Sequence, residues 1–137
     1  MIELHQVSAG YGKHQVLQDL SVAFEQGNIT GIIGVNGSGK STLLKTILGM
    51  VPNTCGGVTV EGKPIREMTR NEIARKIAYL SQEKTTPDMS VEQLVLHGRF
   101  PHLSYPRRYS AKDREIAAYA MEQTGVSQYA KKALQTL

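Results

Sequence analysis

The sequence lacks the marks of secreted, membrane-spanning and repetitive proteins. Its one cysteine, Cys55, cannot form an internal disulfide, which fits a reducing compartment. No apolar run approaches the roughly 18 residues of a membrane span. The N-terminal residues have no basic stretch followed by an apolar one, so a secretory signal is not predicted. Without repeats or low-complexity tracts, the sequence is expected to form an ordinary globular protein.

Length and composition agree with this expectation. The chain has 137 residues, of which 40% are hydrophobic and 20% are charged, and its formal net charge is +4. These fractions are typical of soluble globular proteins. The length corresponds to one domain by the usual range of about 100–200 residues per domain.

The positive charge is concentrated in the last part of the chain. Residues 1–98 contain 9 basic and 9 acidic residues, whereas residues 99–137 contain 7 basic and 3 acidic ones. Two tyrosines near Arg107 and Arg108 are compatible with a nucleic-acid surface, which combines cations with stacking aromatics. A solvated, mildly basic helical region is the favoured interpretation, because basic blocks this sparse are common on surfaces. No nucleic-acid partner is therefore expected.

Apolar patterns predict that strands dominate the first 82 residues. Alternation predicts strands near the N-terminus and at residues 16–24, separated by a turn at residues 10–12. Short apolar runs at residues 29–33 and 77–81 predict two buried strands. Residues 52–57 are predicted to be a loop that leads into a strand ending at Val60.

Helices are predicted mainly in the second part of the chain. A first helix is predicted at residues 41–50, with Leu43, Leu44, Ile47 and Leu48 on one face. Three later helices each begin with a side chain that can cap the N-terminus and a residue three positions on that can reach back. These pairs are Thr69 with Glu72, Ser90 with Gln93, and Ser110 with Asp113, and the helices are predicted to end near Lys76, Gly98 and Gly125.

The most informative motif is GVNGSGKS at residues 34–41, which fits the phosphate-binding pattern G-x-x-x-x-G-K-[ST]. Glycines let backbone N–H groups approach phosphate oxygens, and the following helix N-terminus adds positive potential. Lys40 is predicted to reach the β- and γ-phosphates, and Ser41 to bind Mg²⁺. A simple turn between strand and helix would not need three glycines followed by Lys-Ser. The motif therefore predicts a nucleotide site.

Two further residues are candidates for that site. Tyr11 lies in a predicted turn before the P-loop, where its ring could stack on an adenine or simply pack in a hairpin. Gln82 follows the predicted strand at residues 77–81, where its amide oxygen could meet magnesium or water. From the residues alone, a polar strand end is the favoured interpretation of Gln82.

The sequence resembles the ATP-binding-cassette (ABC) transporter ATPases along essentially its whole length. GVNGSGKSTLL at residues 34–44 is similar to the Walker A stretch of that family. Tyr11 falls where the family has its adenine-stacking A-loop aromatic, and Gln82, in YLSQ, falls at the Q-loop. GVTVEG at residues 57–62 resembles the strand and turn that precede the Q-loop.

The resemblance implies ATP and Mg²⁺ as the bound cofactors. The residues that it implies for the nucleotide are Tyr11, Gly34, Asn36, Gly37, Ser38, Gly39, Lys40, Ser41 and Thr42. Lys40 and Gln82 are the expected catalytic residues, and Ser41 and Gln82 the expected magnesium ligands.

One branch of the family stands out. VEQLVLHGRFPH at residues 91–102 resembles the G-R-x-P-[HW] segment of ATPases that serve iron–siderophore, haem and cobalamin importers. Asp113-Arg114-Glu115 is similar to the same branch. From the residues alone, Gly98 and Pro101 also fit a plain helix end followed by a breaker. The resemblance implies an ATPase that couples hydrolysis to metal-chelate import, and the same segment argues against family members acting in DNA repair or translation.

The resemblance also implies the architecture. The fold is expected to be α/β: a P-loop NTPase core of the ABC type, with an N-terminal antiparallel β subdomain and the start of a helical subdomain. Residues 1–86 are predicted to form the N-terminal portion of the α/β core, with the A-loop, Walker A and Q-loop. Residues 87–137 are predicted to form part of the helical subdomain.

Partners follow from the same resemblance. They are transmembrane permease subunits, a second ATPase subunit in a homodimer and, indirectly, a periplasmic or surface substrate-binding protein. The ATPase is expected to be peripheral, at the cytoplasmic face of the inner or plasma membrane. The region from about Ser90 onward is expected to face the permease, and we connect its basic excess, including Arg107 and Arg108, with that contact.

The sequence departs from the family pattern at Leu137. There the family continues into a Ser-Gly-Gly signature, and the 137 residues contain no signature, no Walker B strand with its catalytic carboxylate and no switch histidine. His97 and His102 lie in the wrong segment to replace that histidine. The chain by itself is therefore expected to be truncated, inactive and unstable, or stabilised by another chain. The alternative function is a truncated, non-hydrolysing nucleotide-binding fragment.

Overall fold

A computed structural model describes residues 1–82 and 86–137. Residues 83–85, at the end of the first predicted domain, lie outside the described residues. The chain divides into two compact units, the sheet unit (Met1–Ile73) and the helical unit (Ala74–Leu137). The predicted domains, residues 1–86 and 87–137, stay a prediction. The two compact units are divided between residues 73 and 74 by their internal contacts, and such a division does not test a domain boundary.

The sheet unit is built on four antiparallel strands. They are β1 (Ile2–Tyr11), β2 (His14–Phe24), β3 (Asn53–Val60) and β4 (Lys63–Pro64), in the order β2-β1-β3-β4. The central strand β1 pairs Ile2 with Phe24 of β2 and with Val60 of β3. Because β1 and β2 are joined by a tight turn, their pairing is local and follows directly from the sequence.

Strand β3 is longer than the sequence predicts. The loop predicted at residues 52–57 is wrong for most of its length, because β3 begins at Asn53. Gly56 has φ of 73°, and a Cβ there would lie 2.3 Å from the carbonyl oxygens of His5 and Gln6. A glycine thus lets β3 pass a bulge in β1, and the pairing continues across the irregularity.

The core of the sheet unit joins one face of the sheet to helix α1 (Lys40–Ile47). Leu4 and Val7 of β1 are fully buried. The other buried apolar residues of this unit are Ala9, Leu17, Leu43, Ile47, Val51, Val58, Val60, Ile65 and Met68. Burial of these side chains supplies most of the favourable free energy of this unit.

The inward face of helix α1 agrees only in part with the predicted one. Thr42, Leu43, Thr46 and Ile47 are buried, whereas Leu44, predicted to lie on the apolar face, is 40% exposed. Thr46 can take an inward position because its hydroxyl donates a hydrogen bond to the Thr42 carbonyl, at 2.8 Å. The helix also ends at Ile47 rather than at the predicted Met50.

The two buried strands predicted from short apolar runs are wrong. Residues 29–33 and 77–81 form no strand in the structure. Ile33 is 98% exposed and Leu80 is 95% exposed. A buried strand needs neighbouring strands and a covering layer on each face, and the described sheet, β2-β1-β3-β4, includes neither run.

The helical unit consists of short capped helices. Helix α2 (Arg70–Lys76) leads into it, and α3 (Val91–His97) packs against α4 (Ala111–Gln123). The apolar contacts come from Val91, Leu96, Ala117 and Met121. The backbone N–H of Leu134 donates to the Met89 carbonyl, at 3.0 Å, so the C-terminal residues of the chain lie against the start of α3.

All three predicted capping boxes are confirmed. Thr69 and Glu72 exchange hydrogen bonds at the start of α2. Ser90 with Gln93, and Ser110 with Asp113, do the same at α3 and α4. Gly125, with φ of 69°, follows the end of α4 as predicted. In the part of the chain that the structure describes, no helix is long and apolar enough to cross a membrane.

Candidate functional site

In the P-loop, residues 34–41, the lysine side chain folds back and binds the backbone of the loop. The Lys40 Nζ donates hydrogen bonds to the carbonyl oxygens of Gly34 and Val35, both at 2.8 Å. A weaker contact joins it to the Ser38 Oγ, at 3.4 Å. The ammonium group therefore lies within the loop, at the point where α1 begins, and offers a positive charge to an anionic ligand.

Two glycines of this loop stand where a side chain would not fit. A Cβ at Gly34 would lie 2.6 Å from the Ser38 Oγ. Gly39 has φ of 92°, and a Cβ there would lie 3.0 Å from a methyl carbon of Val16 and 3.3 Å from one of Leu17. Small residues thus keep the loop narrow and hold its end against strand β2.

The N-terminus of α1 has no side-chain cap, whereas α3 and α4 each begin with a capping box. Gly39 caps it without a side-chain hydrogen bond, and its first turn has no acidic residue. The N–H groups at the start of a helix have no partner within the helix, so those of Lys40, Ser41 and Thr42 are available. The Ser41 side chain is exposed, whereas Thr42 is buried and can offer only its backbone. This arrangement favours a phosphate group.

Tyr11 lies at the end of β1, opposite His14 in the β1–β2 hairpin, and its side chain is 52% exposed. The same hairpin returns through Val16 and Leu17, which back onto Gly39 of the P-loop. The sequence could not show this contact, because it joins segments more than twenty residues apart. A half-exposed ring on the hairpin that supports the loop is compatible with base stacking.

The remaining predicted residues have plainer surroundings. Asn36, Gly37 and Ser38 are exposed on the loop, and Gly37 has φ of 83°. Gln82 belongs to the helical unit, where it is exposed. Its role at the metal stays a prediction. Within residues 1–82 and 86–137, no group of three or more His, Cys, Asp or Glu side chains could hold a metal ion.

An ion pair in the helical unit was missed by the sequence analysis. The Arg99 Nε donates to the Asp113 Oδ1 at 3.0 Å, and both side chains are largely shielded from solvent. Hydrogen bonds from the Ser110 hydroxyl and backbone N–H, and then from Arg99, lower the pKa of Asp113 to about 2. The capping-box pattern predicted a role for Asp113 at the start of α4. Its ion pair with Arg99, which lies just after α3, depends on the tertiary fold and was not predicted.

Glu72 in the sheet unit has a similar environment. The Lys63 ammonium lies 2.8 Å from its carboxylate. This hydrogen bond, followed by those from Thr69, lowers the pKa of Glu72 to about 2.

A separate pocket of about 300 Å³ lies over the sheet, between His5, Asn53 and Arg66, and no P-loop residue lines it.

The phosphate loop and the sheet that supports it define a P-loop nucleotide-binding domain. The chain belongs to the ABC transporter family, whose profile matches residues 17–137. It is 38% identical to the iron(3+)-hydroxamate import ATP-binding protein FhuC of Bacillus subtilis (strain 168), over 99% of the chain and 51% of that protein. It is 40% identical to the ferric enterobactin transport ATP-binding protein FepC of Escherichia coli (strain K12), over 96% of the chain and 49% of that protein.

A solved structure supports the fold. The nucleotide-free ATP-binding cassette of an ABC transporter matches with a TM-score of 0.81 and 22% identity, over 100% of this chain and 58% of that one. The expected ABC-type fold, with an antiparallel β subdomain and the start of a helical subdomain, is thereby confirmed. The chain spans about half the length of the curated relatives that it matches.

Proposed function

We propose that the whole protein is the ATP-binding subunit of an importer that couples ATP hydrolysis to uptake of a metal chelate: an iron–siderophore complex, haem or cobalamin. Two kinds of observation support this. The loop at residues 34–41 offers an ammonium group and an open helix N-terminus to a polyphosphate. Two relatives that match nearly the whole chain carry names of iron(3+)-hydroxamate import and ferric enterobactin transport.

The observation that carries the nucleotide proposal is the position of Lys40. Its ammonium is held by two carbonyl oxygens of the loop, within reach of any anion that enters. Phosphate oxygens would replace those carbonyl contacts with stronger hydrogen bonds, because the acceptor as well as the donor would then be charged. The backbone N–H groups of Lys40, Ser41 and Thr42 would bind the remaining oxygens, and Tyr11 would stack on the adenine.

Magnesium fits the residues of this site. Mg²⁺ prefers oxygen ligands and keeps several waters, so it needs few protein groups. Ser41 has an exposed hydroxyl at the start of α1, and Gln82 offers an amide oxygen. When bound, the ion would neutralise charge that develops on the phosphates. The chain's own contribution would be to hold the phosphates with Lys40, and the Ser41 hydroxyl and the Gln82 amide oxygen are each proposed as a ligand of the metal.

Partners and location are part of the same proposal. The subunit would pair with a second copy and with transmembrane permease subunits, at the cytoplasmic face of the inner or plasma membrane. A substrate-binding protein on the other side would deliver the chelate. The ATPase would not contact the chelate, whose choice would rest with the other subunits.

Replacing Lys40 tests the proposal. In the full-length protein, Lys40→Ala is expected to weaken binding of a fluorescent ATP analogue by about tenfold or more, because a charge-assisted hydrogen bond is lost. Lys45→Ala is the matched control, since Lys45 lies on the same helix but away from the loop. Equal binding by both variants would contradict the assignment of the site.

Phosphate release separates binding from hydrolysis. The full-length protein is expected to release phosphate from MgATP, and Lys40→Ala to abolish this release. The 137 residues alone are expected to bind nucleotide without turnover, because phosphoryl transfer also needs a firmly held metal and an activated water. Turnover by these residues alone would show that the catalytic groups have been assigned wrongly.

A further inference from the structure

The tip of the P-loop is a tight turn centred on Asn36 and Gly37. The Ser38 backbone N–H donates to the Val35 carbonyl, at 3.2 Å, which closes the turn. Gly37 has φ of 83°, as is typical of the third residue of a type II turn. Both residues of the tip are exposed, and apart from the adjoining residues no atom lies within 4 Å of the place of a Cβ at Gly37. Water therefore reaches the tip.

Hydrogen bonds do not hold the Asn36 amide or the Gly37 nitrogen. In the part of the chain that the structure describes, neither the Asn36 side chain nor the Gly37 backbone N–H has a hydrogen-bond partner. Glycine also leaves its own nitrogen accessible and permits wide rotation of the backbone, because it carries no Cβ. The Gly37 nitrogen and the Asn36 Cγ belong to adjoining residues, so proximity favours a reaction between them.

We propose that Asn36 deamidates spontaneously through attack by the Gly37 nitrogen, and that the product weakens nucleotide binding. The nitrogen bonds to the Asn36 Cγ and loses its proton to solvent, while the Cγ–Nδ2 bond breaks and ammonia leaves. Water then opens the cyclic imide. Addition at Cγ gives aspartate, and addition at the backbone carbonyl carbon gives isoaspartate, whose peptide bond runs through the side chain. The net reaction takes up water and releases ammonia.

Either product places a negative charge beside the Lys40 ammonium. The Lys40 Nζ donates to the carbonyl of Val35, the residue directly before Asn36. A carboxylate at position 36 competes with phosphate oxygens for this ammonium and repels a polyphosphate. Isoaspartate also lengthens the backbone of the turn by one carbon. The effect on nucleotide binding rests on the proposed function, whereas the deamidation depends only on the Asn36–Gly37 turn.

The chain contains internal controls for this reaction. Its three other asparagines are also exposed, and a residue with a Cβ follows each of them: Asn28, Asn53 and Asn71. The Asn28 side chain donates to the Glu25 carboxylate, at 3.0 Å, and the Asn53 side chain donates to the Gly56 carbonyl, at 2.6 Å. The residues after these two, isoleucine and threonine, are β-branched and shield their own nitrogens. Both asparagines are therefore expected to react slowly.

Asn71 is the most closely matched control. Within the described residues its side chain, like that of Asn36, has no hydrogen-bond partner. The nitrogen that would attack it belongs to Glu72, whose backbone N–H already donates to the Thr69 hydroxyl, at 3.2 Å. Asn71 also lies in α2, where the helical backbone fixes its position. A slow reaction at Asn71 thus separates the effect of the open turn from that of exposure alone.

The first measurement compares the four asparagines within one sample. Full-length protein is incubated at mildly alkaline pH, and peptide mass spectrometry gives the rate of amide-to-acid conversion at each asparagine. Asn36 is expected to react at least about tenfold faster than the other three, because only its neighbour lacks a Cβ. Gly37→Ala is expected to slow the reaction of Asn36 by a similar factor. The comparison within the wild type stays decisive if this variant folds poorly.

The second measurement follows binding of the fluorescent ATP analogue in the same samples. Asn36→Asp is expected to bind it about tenfold more weakly than Asn36→Gln, which keeps an amide at this position. Wild type is expected to lose binding in proportion to its deamidated fraction. Asn36→Gln is expected to keep its own starting affinity during incubation, because the longer side chain forms its ring far more slowly. MgATP is expected to slow the reaction of Asn36, since bound phosphates cover the turn.

Each part of the proposal can be overturned separately. Equal rates at all four asparagines, or no conversion of Asn36, would overturn the deamidation. Rapid conversion without loss of analogue binding, or equal binding by Asn36→Asp and Asn36→Gln, would overturn its effect on the nucleotide site. Fresh wild type that does not bind the analogue would instead contradict the proposed function, and the rates at the four asparagines would still decide the deamidation.

Discussion

The antiparallel strands and the apolar runs at residues 29–33 and 77–81 were all predicted to be strands, but their structures are very different. Strands β1 and β2 are neighbours in sequence and pair through a tight turn, and β3 completes β1 on its other side. Residues 29–33 and 77–81 are just as apolar, yet Ile33 and Leu80 are almost fully exposed. Apolar character alone therefore does not make a strand, because its backbone must also find hydrogen-bonding neighbours.

Truncating one side chain in each region tests this difference most directly. Leu4→Ala in β1 is expected to lower the free energy of unfolding by about 2–5 kcal/mol, because it leaves a cavity in the core. Ile33→Ala is expected to change it by less than about 0.5 kcal/mol, as for an exposed site. Urea unfolding of the chain, followed by circular dichroism, compares the two. A large loss for Ile33→Ala would show that residues 29–33 are buried in solution.

Two neighbouring glycines of β3 sharpen the comparison within the sheet. Gly56→Ala is expected to cost about 2 kcal/mol or more, because its positive φ disfavours a side chain and the Cβ would meet backbone oxygens. At Gly57 no atom lies within 4 Å of a Cβ and φ is not positive. Gly57→Ala is therefore expected to be nearly neutral or slightly stabilising. Similar unfolding midpoints for the two variants would argue against the β1–β3 bulge.

The capped helices extend the comparison to the helical unit. Ser110→Ala removes the side chain that caps α4, and about 1 kcal/mol of stability is expected to be lost. Ser127→Ala is the control, because Ser127 begins a short 3₁₀ turn without capping it through its side chain. Thermal unfolding of both variants is followed by the far-UV circular dichroism signal of the helices. Equal transition temperatures would mean that the capping box contributes nothing in solution.

The smallest expected effect is on the stability of the fold at acidic pH. The pKa values of Asp113 and Glu72 are lowered to about 2 in the folded chain, so their hydrogen bonds stabilise the fold at pH above their ordinary pKa values. This contribution is lost as the pH falls from about 4 to about 2. Asp113→Asn and Glu72→Gln are each expected to flatten the decline of the urea midpoint over this range. An unchanged acid slope in both variants would contradict the two hydrogen-bonded environments.

Local signals in the sequence predicted local structure well. The three capping boxes are confirmed, because each depends on residues three positions apart in one turn of helix. The P-loop likewise combines a short motif with the start of one helix. The inward face of α1 was only partly predicted: Leu43 and Ile47 are buried as expected, and Thr46 is buried because its hydroxyl has a carbonyl acceptor.

Several features that the sequence did not predict join distant segments. Arg99 pairs with Asp113 across two helix ends. Val16 and Leu17 back onto Gly39, and β3 pairs with β1 across a bulge. Such contacts depend on where packed elements bring their side chains, and residue type at each separate position does not reveal them.

By itself, the sequence determined the P-loop motif, the helix starts and the family, because each is encoded by residues close together along the chain. Only the tertiary structure decided which apolar segments become strands, which carboxylates acquire cationic partners and which arginines stay exposed. The physical reason is that burial, hydrogen-bonded pairing and charge compensation are properties of neighbouring groups in space, and the same residue behaves differently with and without them.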